Sequence, residues 1–301
     1  MVGLSHSPFW EWEQPVSGPG AAFVAKVTEA RGRCAQAAPD AIVIFGPDHF
    51  RNFFYDSLPP FCIGTERCHG FGDYGTPKGE LPLARALARG ILEHLMGAGF
   101  DPAQSADMGV DHGLTQSYAV LTPSPAVPLV PIMVNAGGAP LPSMRRCHAF
   151  GRAVGDAIRA SDAVARVLVV GSGGMSHWPK SMSLDNPALD ERTRDYAIHG
   201  RKCALEDSAA RVASVIARRG QVRGRVNPEF DQWVIGRLRA NQIEALLDMP
   251  SDELERKGGN GAHELRCWVA AIGAWDGVVQ QFGYEPVPEW VTGMGCVAAW
   301  Q

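Results

Sequence analysis

Apolar runs of strand length alternate along this chain with segments whose apolar residues recur at helical spacing, a pattern that predicts a central sheet covered by helices. The strand-like runs are Val2 to Leu4, Ala41 to Phe45, Val127 to Val134 and Ala165 to Val170, the third weakened by Pro128 and Pro131. Leu83, Leu87, Ile91 and Leu95 form one helix stripe, and Ala21 to Cys34 and Met144 to Ala160 read the same way. Towards the C-terminus, Leu265, Trp268, Val269, Ile272 and Val279 fall on one helical face, which places Glu264 in the first turn of a packed helix.

Two stretches break the alternation. Arg51 to Gly79 is rich in aromatics, Pro and Gly without a sustained period. It reads as a long ordered loop system, a kind of segment that commonly carries function. Asp185 to Gly220 is the most charged stretch and reads as an outer helical segment. With no internal repeat or convincing linker, the 301 residues predict a single α/β domain, 1–301, with a mainly parallel or mixed central sheet flanked by helices.

Composition removes several classes of function. Lys and Arg number 28 against 32 Asp and Glu, a formal net charge of -4, so no basic field exists to hold a nucleic-acid backbone. No apolar stretch approaches the roughly 20 residues that span a bilayer. Met1-Val2-Gly3-Leu4 runs at once into Ser5-His6-Ser7 without the charged start and apolar core of a secretory leader, so a cytoplasmic protein is expected. The seven cysteines are dispersed without a CxxC pair, and are expected as reduced, mostly buried thiols.

Chemistry concentrates in a few histidines at element boundaries. His6 and His49 each follow a strand-like run, and open α/β sheets place their sites at such strand ends. Glu264 follows the glycine-rich Gly258-Gly259-Asn260-Gly261. Two imidazoles and one carboxylate form a ligand set that leaves coordination positions open, which suits ferrous iron binding a substrate and O2 together. The neighbouring His263 competes with Glu264 for the ligand role, and helix geometry turns only one of the two towards a site. His177 ends Gly171-Ser172-Gly173-Gly174-Met175-Ser176-His177, a turn that lets backbone approach a ligand but lacks the Lys-Ser/Thr of a phosphate loop. His112 lies between Asp111 and Gly113, a context that suits a histidine exposed enough to move protons or, equally, an ordinary turn capped by Asp111.

Taken together, Leu4-Ser5-His6-Ser7-Pro8, Pro47-Asp48-His49 with Phe53-Phe54-Tyr55-Asp56, Val110-Asp111-His112-Gly113, Gly171 to His177 and Ala262-His263-Glu264 resemble the class III extradiol dioxygenases. The likeness continues through Gly79-Glu80-Leu81-Pro82, Asn227-Pro228 with Asp231, and Pro286-Val287-Pro288-Glu289-Trp290, in order over essentially the whole chain. The resemblance implies an Fe(2+) site held by His6, His49 and Glu264, with His112 and His177 as an acid-base pair. It implies a small aromatic substrate, a substituted catechol of the 2,3-dihydroxyphenylpropionate kind, opened with O2 in aromatic catabolism by a homo-oligomer. Phe53, Phe54 and Tyr55, with Asp111, are the candidate substrate contacts, although the three aromatics read equally well as core. The segment before His6 is a few residues shorter than is usual in the subgroup, so a clipped first strand with weakened edge pairing is expected.

The family also includes members acting on aminophenols, protocatechuate and gallate. Two other classes compete: a zinc hydrolase, since two histidines and a glutamate also describe catalytic zinc, and a non-catalytic binding protein of the same fold. The absence of HExxH argues against the first, and the presence of all five key residues against the second.

Overall fold

The structure is a computed structural model describing residues 1–122, 127–202 and 205–300, with backbone alone for 205–208. Four strands run parallel through its centre: β1 (Val2–Leu4), β2 (Ala41–Gly46), β6 (Leu129–Val134) and β7 (Val167–Ser172). They lie in the order β6-β2-β7-β1, all parallel. Beyond β1 the sheet turns antiparallel through β9 (Thr292–Ala298) and β8 (Gln281–Val287). Beyond β6 it continues through β3 (Phe61–Phe71), which pairs antiparallel with β6 and β4 (Lys78–Leu81) and parallel with β5 (Ala103–Val110).

The uninterrupted apolar run of β2 follows from burial on both faces. Val43 and Phe45 pack with α2 (Arg85–Gly97), α4 (Met144–Arg159) and α10 (Leu265–Trp275), whereas Ile42 and Ile44 pack with α1 (Ala21–Ala37) and α3 (His112–Leu121). The charged stretch forms α5 (Glu191–His199) and α6 (Leu205–Ile216), and α7 (Pro228–Arg239), α8 (Glu244–Leu247) and α9 (Ser251–Gly258) precede the short 3-10 turn Asn260–Glu264. Among the described residues no helix is long and apolar enough to cross a membrane. Six cysteines are free and buried; Cys203 lies outside the described residues.

Several expectations change. Arg51 to Gly79 is not a loop throughout, because it contains the eleven-residue β3 and the start of β4. Its glycines hid the strand. Gly64 and Gly70 sit where a Cβ would fall 2.7 Å from the Pro131 side chain and 2.2 Å from the Pro77 carbonyl oxygen, so the close approach of neighbouring chain requires residues that weaken the apolar signal. β1 is not an edge strand: it is held between β7 and β9, and the Met1 amino group donates to the Ala299 carbonyl at 2.8 Å. Helix α10 stops before Val279, at a left-handed Asp276 (φ 54), and Val279 joins the same core from beyond the helix end. Strands β5, β8 and β9 were not legible in the hydrophobic pattern, β9 because its Gly293 and Gly295 replace apolar side chains under Asp231 and Trp268.

Candidate active site

The three parallel strands β2, β7 and β1 lie side by side, and the segments leaving their C-terminal ends carry His49, His177 and His6. Helix α10 brings Glu264 to the same place from its N-terminal boundary, and α3 begins with His112. Glycines make this convergence sterically possible: a Cβ on Gly173 would lie 2.6 Å from the Glu264 carbonyl oxygen, and one on Gly261 would lie 2.2 Å from His177 Nε2. The Gly171 to Gly174 turn thus receives the start of α10, and Trp268 Nε1 ties the two by donating to the Gly173 carbonyl at 2.9 Å.

Glu264 is the hub. Its Oε1 lies 3.2 Å from His49 Nε2 and 3.5 Å from His177 Nε2, and its Oε2 lies 3.5 Å from His6 Nε2 while accepting from the Gly174 amide at 2.6 Å. The His49 ring stacks on His112 at 4.4 Å between centroids, and His6 meets both rings edge-on at 5.4 Å. His263 turns away: Arg266 Nη1 reaches its Nδ1 at 2.7 Å, and its Nε2 faces Glu255 at 3.3 Å. Burial and the Arg266 charge lower its pKa to about 3.

The supports of the rings decide which nitrogen is available. His6 Nδ1 lies 3.0 Å from Ser172 Oγ, whose own hydrogen is committed to the Gly113 carbonyl, so the ring donates there. His49 Nδ1 donates to Asp111 at 3.0 Å, His177 Nδ1 to the Met175 carbonyl at 2.8 Å, and His112 Nδ1 to Asp73 at 2.8 Å. With every Nδ1–H engaged, all four rings turn Nε2 into one space, the arrangement in which neutral imidazole ligates a metal. Burial alone would lower the pKa of His49, but the Asp111 and Glu264 carboxylates outweigh it and hold it well above the usual value. His177 is raised too, since Glu264 and the Met175 carbonyl overcome its burial. Burial prevails at His6, lowered to about 3, and Glu264 stays well below the usual carboxylate range because His6, His177 and His49 outweigh its burial.

This donor set fits a divalent cation. His6, His49 and His112 can each offer a ligand atom within 4.8 Å of the others, and the ionised Glu264 brings its oxygens to 3.5 Å from His6 Nε2 and 3.2 Å from His49 Nε2. A cation gains more from an anionic oxygen than from a third neutral nitrogen, which favours Glu264 over His112 beside His6 and His49.

The cavity over this cluster has a volume of about 870 Å³. His6, His49, His112, His177 and Glu264 all line it, with Phe50 and Tyr74 as aromatic walls. The sequence-based choice of Phe53, Phe54 and Tyr55 is corrected: none lines the cavity. Phe53 joins the core with α1 and α3, Phe54 packs with Phe50 and Ala197, and Tyr55 bonds to Ser183 Oγ at 3.1 Å. Asp111 does not line the cavity either; it is buried, orients His49 and caps α3 through the Gly113 amide. His112 is buried instead of exposed, held by Asp73 and covered by the edge of Tyr74 at 4.7 Å. Asp73 and Tyr74 escaped sequence reasoning, the one trace being their place between Gly72 and Gly75, both with positive φ.

The model for the catalytic LigB subunit of aromatic ring-opening dioxygenases matches residues 1–295. The chain belongs to that family. This LigB-family protein is 36% identical over 310 residues to the 2,3-dihydroxyphenylpropionate/2,3-dihydroxicinnamic acid 1,2-dioxygenase of Cupriavidus necator, across 98% of this chain and 96% of that one. The protein of the same name from a Rhodococcus species is 36% identical over 310 residues, across 99% of this chain and 97% of its own. The LigB-family fold is also similar to that of the uncharacterized protein JW3007 of Escherichia coli K12, with a TM-score of 0.53 at 15% identity over 98% of this chain and 97% of that one.

Proposed function

We propose that this protein is an Fe(2+)-dependent extradiol dioxygenase, a single catalytic domain over 1–301, that opens the ring of a substituted catechol of the 2,3-dihydroxyphenylpropionate kind. The observation that carries this reading is the convergence of His6, His49 and Glu264 with the Nε2 atoms of His112 and His177 in one cavity. Iron held by His6, His49 and Glu264 would supply a centre where catechol and O2 meet and exchange electrons, relieving the spin barrier between them. His112 presents Nε2 as a base because Asp73 holds its Nδ1–H, and it takes a catechol hydroxyl proton there. His177, its Nδ1 held by the Met175 carbonyl, turns Nε2 into the cavity and delivers a proton on the oxygen side of the reaction. Phe50 and Tyr74 flank the ring and keep water from it.

The test is anaerobic loading with Fe(II), then addition of substituted catechols and aminophenols in air-saturated buffer. Oxygen uptake matched to a yellow ring-opened product is the expected result. Activity with Zn(II) and none with Fe(II) would refute the reading in favour of a hydrolase, and turnover of aminophenols alone would move the substrate.

A further inference from the structure

The cavity is far larger than a catechol ring needs, and its chemistry is uneven. The inner end is the imidazole cluster, while one wall consists of residues 179–183 and 185–187 and the α6 residues Arg211, Val212, Ser214 and Val215. Three cationic side chains border it: Arg51, Lys180 and Arg211. Lys180 is committed to Asp190 at 2.8 Å and to Thr193 at 3.0 Å. Arg51 lies with its guanidinium over the Phe71 ring at 5.4 Å.

Arg211 differs from both. Its guanidinium lies 3.9 Å over the Tyr196 ring and 3.5 Å from Met182 Sδ, and among the described residues no carboxylate pairs with it. The Tyr196 hydroxyl donates to the Phe50 carbonyl at 3.0 Å, so the platform beneath the guanidinium is anchored to the loop that follows His49. Stacking occupies the face of the guanidinium, and its in-plane N–H fork, the part that matches a carboxylate with two parallel hydrogen bonds, meets only the weak sulfur acceptor of Met182. The acidic groups lining the cavity are engaged elsewhere: Asp48 by the amides of residues 51–53, Asp73 by His112, Glu255 by His263 and Glu264 by the imidazoles. Asp185 is exposed, and the contacts of Arg211 are to Tyr196 and Met182 instead. The Tyr74 hydroxyl, pushed up to about 12 chiefly by burial, is drawn the other way by Arg51 and Arg211, so their charge reaches the side of the cavity where Tyr74 meets His112.

We propose that Arg211 is a specificity-determining residue that binds a carboxylate carried on the substituent of the ring, so that the site selects catechols with an acidic alkyl side chain. This rests on the ring-opening reading and extends it to the far end of the substrate. The experiment compares 3-(2,3-dihydroxyphenyl)propionate with 3-propylcatechol, which matches its chain length without the charge. Binding to the Fe(II)-loaded wild type, Arg211→Met and Arg211→Lys is measured anaerobically by calorimetry, and turnover separately in air. The wild type is expected to favour the acid, and Arg211→Met to reduce that preference by about 10- to 100-fold, the scale of a lost charge-assisted hydrogen-bond pair. Arg211→Lys, which keeps the charge without the fork, should fall between. An unchanged preference in Arg211→Met overturns the proposal. If the wild type opens no catechol yet binds the acid through Arg211, the ring-opening reading fails and the carboxylate site stands. If it opens both catechols and Arg211→Met retains the full preference, the reverse holds.

Discussion

His49 and Glu264 lie 215 positions apart in the chain, yet His49 Nε2 and Glu264 Oε1 meet at 3.2 Å. Neither group has freedom to move: Asp111 grips the other nitrogen of the imidazole, and the Gly174 amide holds the other oxygen of the carboxylate. This prearrangement places two donors of different charge on one point before any substrate enters, which reduces the ordering cost of binding a metal.

If His6, His49 and Glu264 are the ligands, replacing any one by Ala removes most bound iron, measured by elemental analysis after anaerobic loading and desalting. His112→Ala retains it. Iron retained in Glu264→Ala and lost in His112→Ala would make the third ligand an imidazole.

Asp111 fixes the tautomer of His49 without lining the cavity, and such supporting carboxylates contribute about 10- to 100-fold to metal affinity. Asp111→Asn should weaken Fe(II) binding by that factor in a competition titration with a chelator. Its α3 cap can survive, because the Asn side-chain oxygen can still accept from the Gly113 amide.

His112→Gln and His177→Gln should each keep iron and still bind catechol, while turnover falls by roughly 10²- to 10⁴-fold. His112→Gln should also slow catecholate formation in anaerobic stopped flow, and His177→Gln should spare that step and slow ring opening. Asp73→Ala should resemble a weaker His112 variant, since the ring loses the partner that turns Nε2 into the cavity.

Asp231 is fully buried, and burial pushes its carboxyl up to about 6 even though Ser176 and Tyr284 donate to it. The folded pKa lies above the ordinary 3.8, so the native state favours the protonated acid. The resulting stabilisation is complete below about pH 4 and is lost as pH rises through about 6, an effect on the order of 3 kcal/mol. Urea unfolding of Asp231→Asn should therefore compare better with wild type at pH 7.5 than at pH 5. An equal difference at both values would place the carboxyl near its ordinary pKa.

Helices α4 and α10 touch through backbone. A Cβ on Gly151 would lie 2.0 Å from the Ala270 carbonyl oxygen, and backbone cannot swing aside as a side chain can. Gly151→Ala should cost about 1–3 kcal/mol despite the better helix propensity of Ala, and should loosen iron binding because α10 carries Glu264. Gly90→Ala on α2, where a Cβ meets nothing within 4 Å, should leave stability equal or slightly improved. Chemical denaturation of the two variants side by side separates packing from propensity.

The sequence alone determined the four parallel strands, helices α1, α2, α4 and α10, and the fact that His6, His49, His177 and Glu264 stand at element boundaries. Each of these is encoded locally, in apolar periodicity over a few turns or in a turn residue beside a strand. Tertiary structure decided the rest. Glu264 rather than His263 meets the imidazole cluster because Arg266, buried without a carboxylate partner among the described residues, holds His263 through its Nδ1. Phe50 and Tyr74 rather than Phe53, Phe54 and Tyr55 form the cavity wall, a choice set by left-handed backbone at Phe50 and Tyr74 (φ 56 and 54) that no residue type in those positions announces. Asp73 reaches His112 across 39 residues because β3, β4 and β5 pair as they do. Local propensity marks where side chains leave the core; only long-range packing sets which nitrogen, carboxylate or ring each one meets.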